Sequence, residues 1–167
     1  MSNIPIQNLA DDARIWLFGA AAPMTDEQKR VARQTLSTYL DQWNAHGDDI
    51  PAAVDVVADR FLVVAADRNA VSGGCSVDRM YRQVRALRDS VGADLLDTTL
   101  VFWREGEAIR SATRAEFRKL AESGAVGIDT RVLDTTVETL GAIRSGSWER
   151  PASQSWHAEA FPLRKVS

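Results

Sequence analysis

The stretch Asp67 to Asp78 reads Asp-Arg-Asn-Ala-Val-Ser-Gly-Gly-Cys-Ser-Val-Asp, and its residue types suggest chemistry more directly than any other in the chain. A strand-like run ends before it, a helical period begins after it, and Gly73 and Gly74 stand between. Free backbone N–H groups and the positive end of a helix dipole therefore meet at one point, which favours a small anion or a thiolate. The chain's one cysteine, Cys75, falls there. A helix start lowers a thiol pKa, so Cys75 is a candidate nucleophile or redox thiol. Ser76 follows it, and Arg79 is close enough to help hold an anion. Asp78 works against a neighbouring thiolate and equally suits a plain helix start capped by Cys75 or Ser76. Free cysteines are also mostly small buried hydrophobes, the blander reading of this one.

A cysteine nucleophile needs a base, and the chain offers His46 and His157. His46 lies in a helix-ending loop where a ring can bond a free carbonyl, and His157 sits beside Trp156 in a segment that packs without any catalytic role. One cysteine and two scattered histidines lack the local spacing of a zinc site, so no metal is expected. Arg79, Arg82, Arg85 and Arg88 recur every third residue, which spreads them over a broad solvated helix face. No Gly-x-x-x-x-Gly-Lys-Ser/Thr occurs, so a P-loop nucleotide site is absent and no cofactor is implied.

These residues must be placed by elements that the apolar period outlines. Arg14 to Gly19, with Trp16 and Phe18 alternating, reads as a strand. Thr25-Asp26-Glu27-Gln28 is a capping box, and Val31, Leu36, Leu40 and Trp43 carry a helix over 26–43, ended near Gly47 by a left-handed residue. Val54 to Ala58 and Phe61 to Ala66 form a hairpin across Asp59-Arg60. A second helix runs through Val77, Met80, Val84, Leu87 and Val91 to Gly92. Leu95 to Trp103 reads as a fourth strand and Glu107 to Ser111 as a fifth. Thr113 to Glu116 repeats the capping box, Gly124 stops that helix, and Val126 to Leu133 adds an edge strand. Beyond Gly146 the period fails, yet Trp148 and Trp156 are costly to leave in water, so this tail should lie on the body of the domain.

The order predicts an α+β fold: a ferredoxin-like β-α-β-β-α-β core with a C-terminal helix, a short strand and an extended Trp-containing tail. With 167 residues, 26% charged and a net charge of -3, the chain fits a single domain, 1–167. Mild acidity argues against a nucleic-acid partner, and the third strand lacks the paired aromatics of an RNA-recognition motif. Asp55, Asp59, Arg60 and Asp67 interrupt the most apolar region, which excludes a membrane helix. The run Ile15-Trp16-Leu17-Phe18 with Ala20-Ala21-Ala22 imitates a signal peptide, but Asp11 and Asp12 precede it where export needs positive charge. A lone thiol agrees with a cytoplasmic location.

Arg14-Ile15-Trp16, Gln42-Trp43-Asn44-Ala45-His46-Gly47, Arg60-Phe61-Leu62-Val63, Gly74-Cys75-Ser76-Val77-Asp78 and Ser155-Trp156-His157 together resemble a family of short bacterial proteins common in Bacteroidetes. Members often carry the label "ABC transporter ATPase". The resemblance runs over nearly the whole chain and brings no functional residues with it, but it places His46, Cys75 and Trp156-His157 among the segments that define the family. The leading expectation is a protein that binds a small anionic ligand through Gly73, Gly74, Ser76, Asp78 and Arg79, with Trp43, His46 and Trp156 as walls. A thiol-dependent enzyme using Cys75 with His46 or His157 is the alternative. A third reading is a non-catalytic module that pairs as a homodimer through an open sheet edge.

Overall fold

A computed structural model describes residues 3–45, 47–70 and 74–166, and of Ala45, Gly74 and Cys75 the backbone alone. In chain order the elements are β1 (Arg14–Gly19), α1 (Asp26–Leu40), β2 (Asn44–Ala45), β3 (Asp48–Asp49), β4 (Ala52–Val57), β5 (Phe61–Ala66), α2 (Gly74–Val91), β6 (Leu100–Glu105), β7 (Ala108–Thr113), α3 (Arg114–Ser123), β8 (Arg131–Leu133), α4 (Leu140–Arg144), β9 (Glu149–Pro151) and α5 (His157–Ala160). The fold is α+β. Its contacts form two compact units, one of Met1–Asp97 with Val137–Arg144 and the other of Thr98–Thr136 with Ser145–Ser167.

In the first unit β1, β5 and β4 make a three-stranded antiparallel sheet in that order. The all-apolar Phe61–Ala66 run of β5 is buried throughout, because both faces of the sheet are covered. Trp16, Phe18, Leu62 and Val64 face α1 and α2. Ile15, Val63 and Ala65 face a second layer built from Leu9, Ala13 and Leu140. The aromatic pair Trp16 and Phe18 is therefore core.

The Thr25–Gln28 capping box forms as the sequence predicts. The helix it opens ends at Leu40, three residues short of the expected end. Gln42 N–H donates to the Tyr39 carbonyl and Trp43 N–H to that of Leu40, a tightening to i→i−3 bonds that unwinds the last turn. The β4–β5 turn also sits one residue earlier than expected. Ala58 and Asp59, with φ of 54° and 58°, occupy its centre in a type I′ pattern without glycine. Met24 N–H bonds to the Asp59 carbonyl at 2.7 Å, and Lys29 reaches the Asp59 carboxylate at 2.6 Å.

The ferredoxin-like order is not seen. β1 and β4 run parallel on either side of β5, as three of its strands would, but the expected fourth strand pairs elsewhere: β6 joins β7 across a turn at Gly106 (φ 60°) and pairs on its other side with β8. The hairpin with β7 takes one edge of β6, and β8, about 25 residues on, takes the other, whereas return to β1 would close a loop of some 80 residues. Beside β1 stands a later segment instead. Ile15 N–H donates to the Glu138 carbonyl, and Arg14 bridges Thr139. At the opposite edge Ile4 N–H donates to Ala52.

The second unit is a four-stranded antiparallel sheet, β7-β6-β8-β9, over α3. The Thr113 capping box and the left-handed Gly124 (φ 79°) frame α3 as expected. Of 126–133 only Arg131–Leu133 is strand, and it lies inside the sheet, because Gly127 N–H to Thr130 Oγ1 and Thr130 N–H to the Gly127 carbonyl close a turn ahead of it. The Trp-bearing tail contributes β9, a 3-10 turn at Ala152–Gln154 and α5, and Phe161 packs in the core with Trp103 and Phe117. Among the described residues no helix is long and apolar enough to cross a membrane.

Candidate functional site

Val77, Met80, Val84, Leu87 and Val91 form the buried face of α2 against the first core, so the helix is anchored along its length and its opening turn is held in place. Two side-chain bonds fix that turn. The Tyr39 hydroxyl donates to the Ser76 carbonyl at 2.9 Å, and the Ser76 hydroxyl donates to the Asn44 carbonyl at 3.1 Å. The chain reverses between β2 and β3 at Gly47, whose φ of +89° only glycine adopts at ease. The Asn44 end of β2 thus meets the first turn of α2, which Tyr39 also holds.

Burial raises the Tyr39 pKa, opposed by the positive charge of Arg79, which acts on the phenol. Arg79 and Asp78 are both exposed. Trp43 is buried between Trp16 and Tyr39, with ring centroids 5.9 and 6.3 Å away. Cys75 lies by its backbone in the first turn of α2. Its side chain, His46 and Gly73 lie outside the described residues.

Trp156 and His157 belong to the second unit. His157 is 1% exposed, stacked on Trp156 at 3.9 Å and edge-on to Phe117, with Nδ1 2.8 Å from the Ser155 hydroxyl. Burial holds its pKa down to about 4; the charge of Asp134 works the other way, while Arg114 and Arg150 depress it further. The imidazole is neutral at pH 7. Asp134 accepts from Arg150 at 2.8 Å on one oxygen and from the Thr136 N–H and hydroxyl on the other. The Arg114 guanidinium lies 5.1 Å from the Trp156 ring centroid.

The predicted residues thus fall in two places: Trp43, Ser76, Asp78 and Arg79 in the first unit, Trp156 and His157 in the second. Sequence reasoning missed Tyr39, which the helical period classes as an apolar-face residue, and Arg114, Asp134 and Arg150, which no local spacing connects. A further cleft of about 340 Å3 in the second unit is lined by Trp103, Arg104, Asp129 and Arg131 among others. Its two arginines are tied to Glu149, Arg104 by a two-pronged bond at 2.9 and 3.1 Å and Arg131 through the Glu149 carbonyl. Among the described residues no group of three or more His, Cys, Asp or Glu side chains could hold a metal ion. Comparison with protein-family models, with curated proteins and with solved structures finds no match to the chain.

Proposed function

We propose that the protein binds a small anionic ligand at the opening turn of α2. One observation supports this reading: Asn44 and Tyr39 are each joined to Ser76 by a hydrogen bond, so the residue that follows α1 and the opening turn of α2, far apart in sequence, meet. A helix start presents backbone N–H groups and the positive end of the dipole, here of an 18-residue helix, and Arg79 adds a full charge that acts on Tyr39. The Ser76 hydroxyl gives its proton to Asn44, so it positions the turn, and the backbone N–H groups are the donors. Titration with sodium phosphate and sodium acetate at constant ionic strength should raise the melting temperature, and Arg79→Ala should shrink the shift. An unchanged melting temperature with both anions would overturn the proposal.

The place of Cys75 in that same first turn supports a second reading, a thiol-dependent enzyme. Its alkylation rate against pH then reports a thiolate pKa well below about 8.5. A normal or raised value removes this reading and leaves the first intact.

A further inference from the structure

We propose that Arg114, Arg150 and the indole N–H of Trp156 form a second oxyanion site, for a carboxylate or a phosphate group, in the unit that holds His157. Two buried N–H groups carry the argument. Trp156 Nε1 and Arg150 Nε have no acceptor among the described residues, and buried donors in folded proteins are satisfied as a rule.

The nearby acceptors are already engaged. Asp134 Oδ2 takes Arg150 Nη2, Asp134 Oδ1 takes both donors of Thr136, and the Ser155 hydroxyl faces His157 Nδ1. What remains is a pair of buried donors without an acceptor. Arg114 lies over the Trp156 ring and its side chain makes neither a hydrogen bond nor an ion pair among the described residues, whereas that of Arg118 on the same helix donates to the Ala160 carbonyl.

Charge points the same way. Arg114 and Arg150 set two positive charges against the single negative charge of Asp134, and all three act on His157, which is neutral at pH 7. Among the charges that act on His157 one cation is thus in excess, and Arg150, one of the two, itself carries an unanswered N–H. A guanidinium fork with an indole N–H matches the oxygens of a carboxylate or phosphate and repels a metal ion or an ammonium group.

This site differs in residues and in unit from the one at α2, so a readout at Trp156 itself, with Arg79→Ala as the control, separates the two. The test uses the full chain labelled with 15N, whose five tryptophans give five indole N–H signals. The Trp156 signal is identified by its loss in Trp156→Phe or, should that variant not fold, by its through-space contact with the His157 ring protons. Acetate and phosphate are titrated separately against chloride at pH 7 and constant ionic strength.

The signal should move saturably with at least one of the two. Movement with acetate alone identifies a carboxylate ligand, and movement with phosphate alone identifies a phosphate. Arg114→Gln, an exposed change, should weaken the apparent affinity about tenfold, whereas Arg79→Ala should leave this titration unchanged. A Trp156 signal that stays still with both anions, moves equally with chloride, or titrates in Arg114→Gln as in the parent protein would overturn the proposal.

Discussion

The Trp156 indole lies on the His157 imidazole with ring centroids 3.9 Å apart and planes 24° from parallel. That contact seals the ring from water, and its consequence is a pH dependence of stability. Above about pH 6.5 the imidazole is neutral in both folded and unfolded chains. Between 6.5 and about 4 the unfolded chain takes up a proton that the folded chain refuses, so stability falls as pH falls, by up to about 3 kcal/mol. Urea unfolding at pH 7.5, 5.5 and 4.5 should show this loss, and His157→Gln should flatten it. Parallel losses in both proteins would assign the effect elsewhere. Glu149, whose carboxyl is held low by its bond to Arg104, loses its contribution only below its ordinary value of 4.5, in a separate window.

Ala58 holds a left-handed conformation that a β-carbon resists. Ala58→Gly should stabilise the protein by about 0.5–1 kcal/mol despite the greater freedom it gives the unfolded chain. Ala58→Val should do the opposite. Thermal unfolding of the pair decides, and a destabilised glycine variant would mean that the turn carries no strain.

Arg104 and Glu149 are each largely shielded from solvent and meet through two bonds. A double-mutant cycle with Arg104→Met and Glu149→Gln should return a coupling of about 1 kcal/mol, above the median for exposed pairs. Zero coupling would make the pair a neighbourly contact without energetic consequence.

A β-carbon at Gly127 would stand 2.5 Å from the Arg164 carbonyl, which accepts from Ile128 N–H at 3.0 Å, and would also strike Val166. Backbone cannot yield there as a flexible side chain would. Gly127→Ala should cost about 1–3 kcal/mol and expose the Ile128 amide to faster hydrogen exchange. Parent-like exchange at Ile128 would show that the 164–166 segment moves aside freely.

Features set by neighbours in sequence were legible from the residues. Both capping boxes, at Thr25 and Thr113, and the left-handed stop at Gly124 depend on contacts three or four positions apart, and they form as read. What failed was partner choice. The apolar run at the start of Leu100–Glu105 announces a strand but does not say which neighbours it takes, and β7 and β8 filled its two edges in place of β1. The candidate site divides the same way. The helix start was visible as a glycine pair before a helical period, whereas the Asn44–Ser76 bond and the convergence of Arg114, Asp134 and Arg150 on His157 arise only when distant segments pack.

The neighbour that β1 receives from 138–139 also has a consequence in time. The sheet of the first unit can be paired as soon as β5 has been made, but Glu138 and Thr139 are synthesised about 120 residues after β1, and so are Leu140, which donates to the Ala13 carbonyl, and Arg144, which holds Asp11 at 2.8 Å. At ribosomal rates that interval is on the order of ten seconds. Throughout it the N–H groups of β1 face outward, a template for pairing with any extended chain nearby. A strand edge that the finished protein closes at Arg14 and Ile15 is thus an open edge of every nascent copy, and crowded polysomes are where it would first cause trouble.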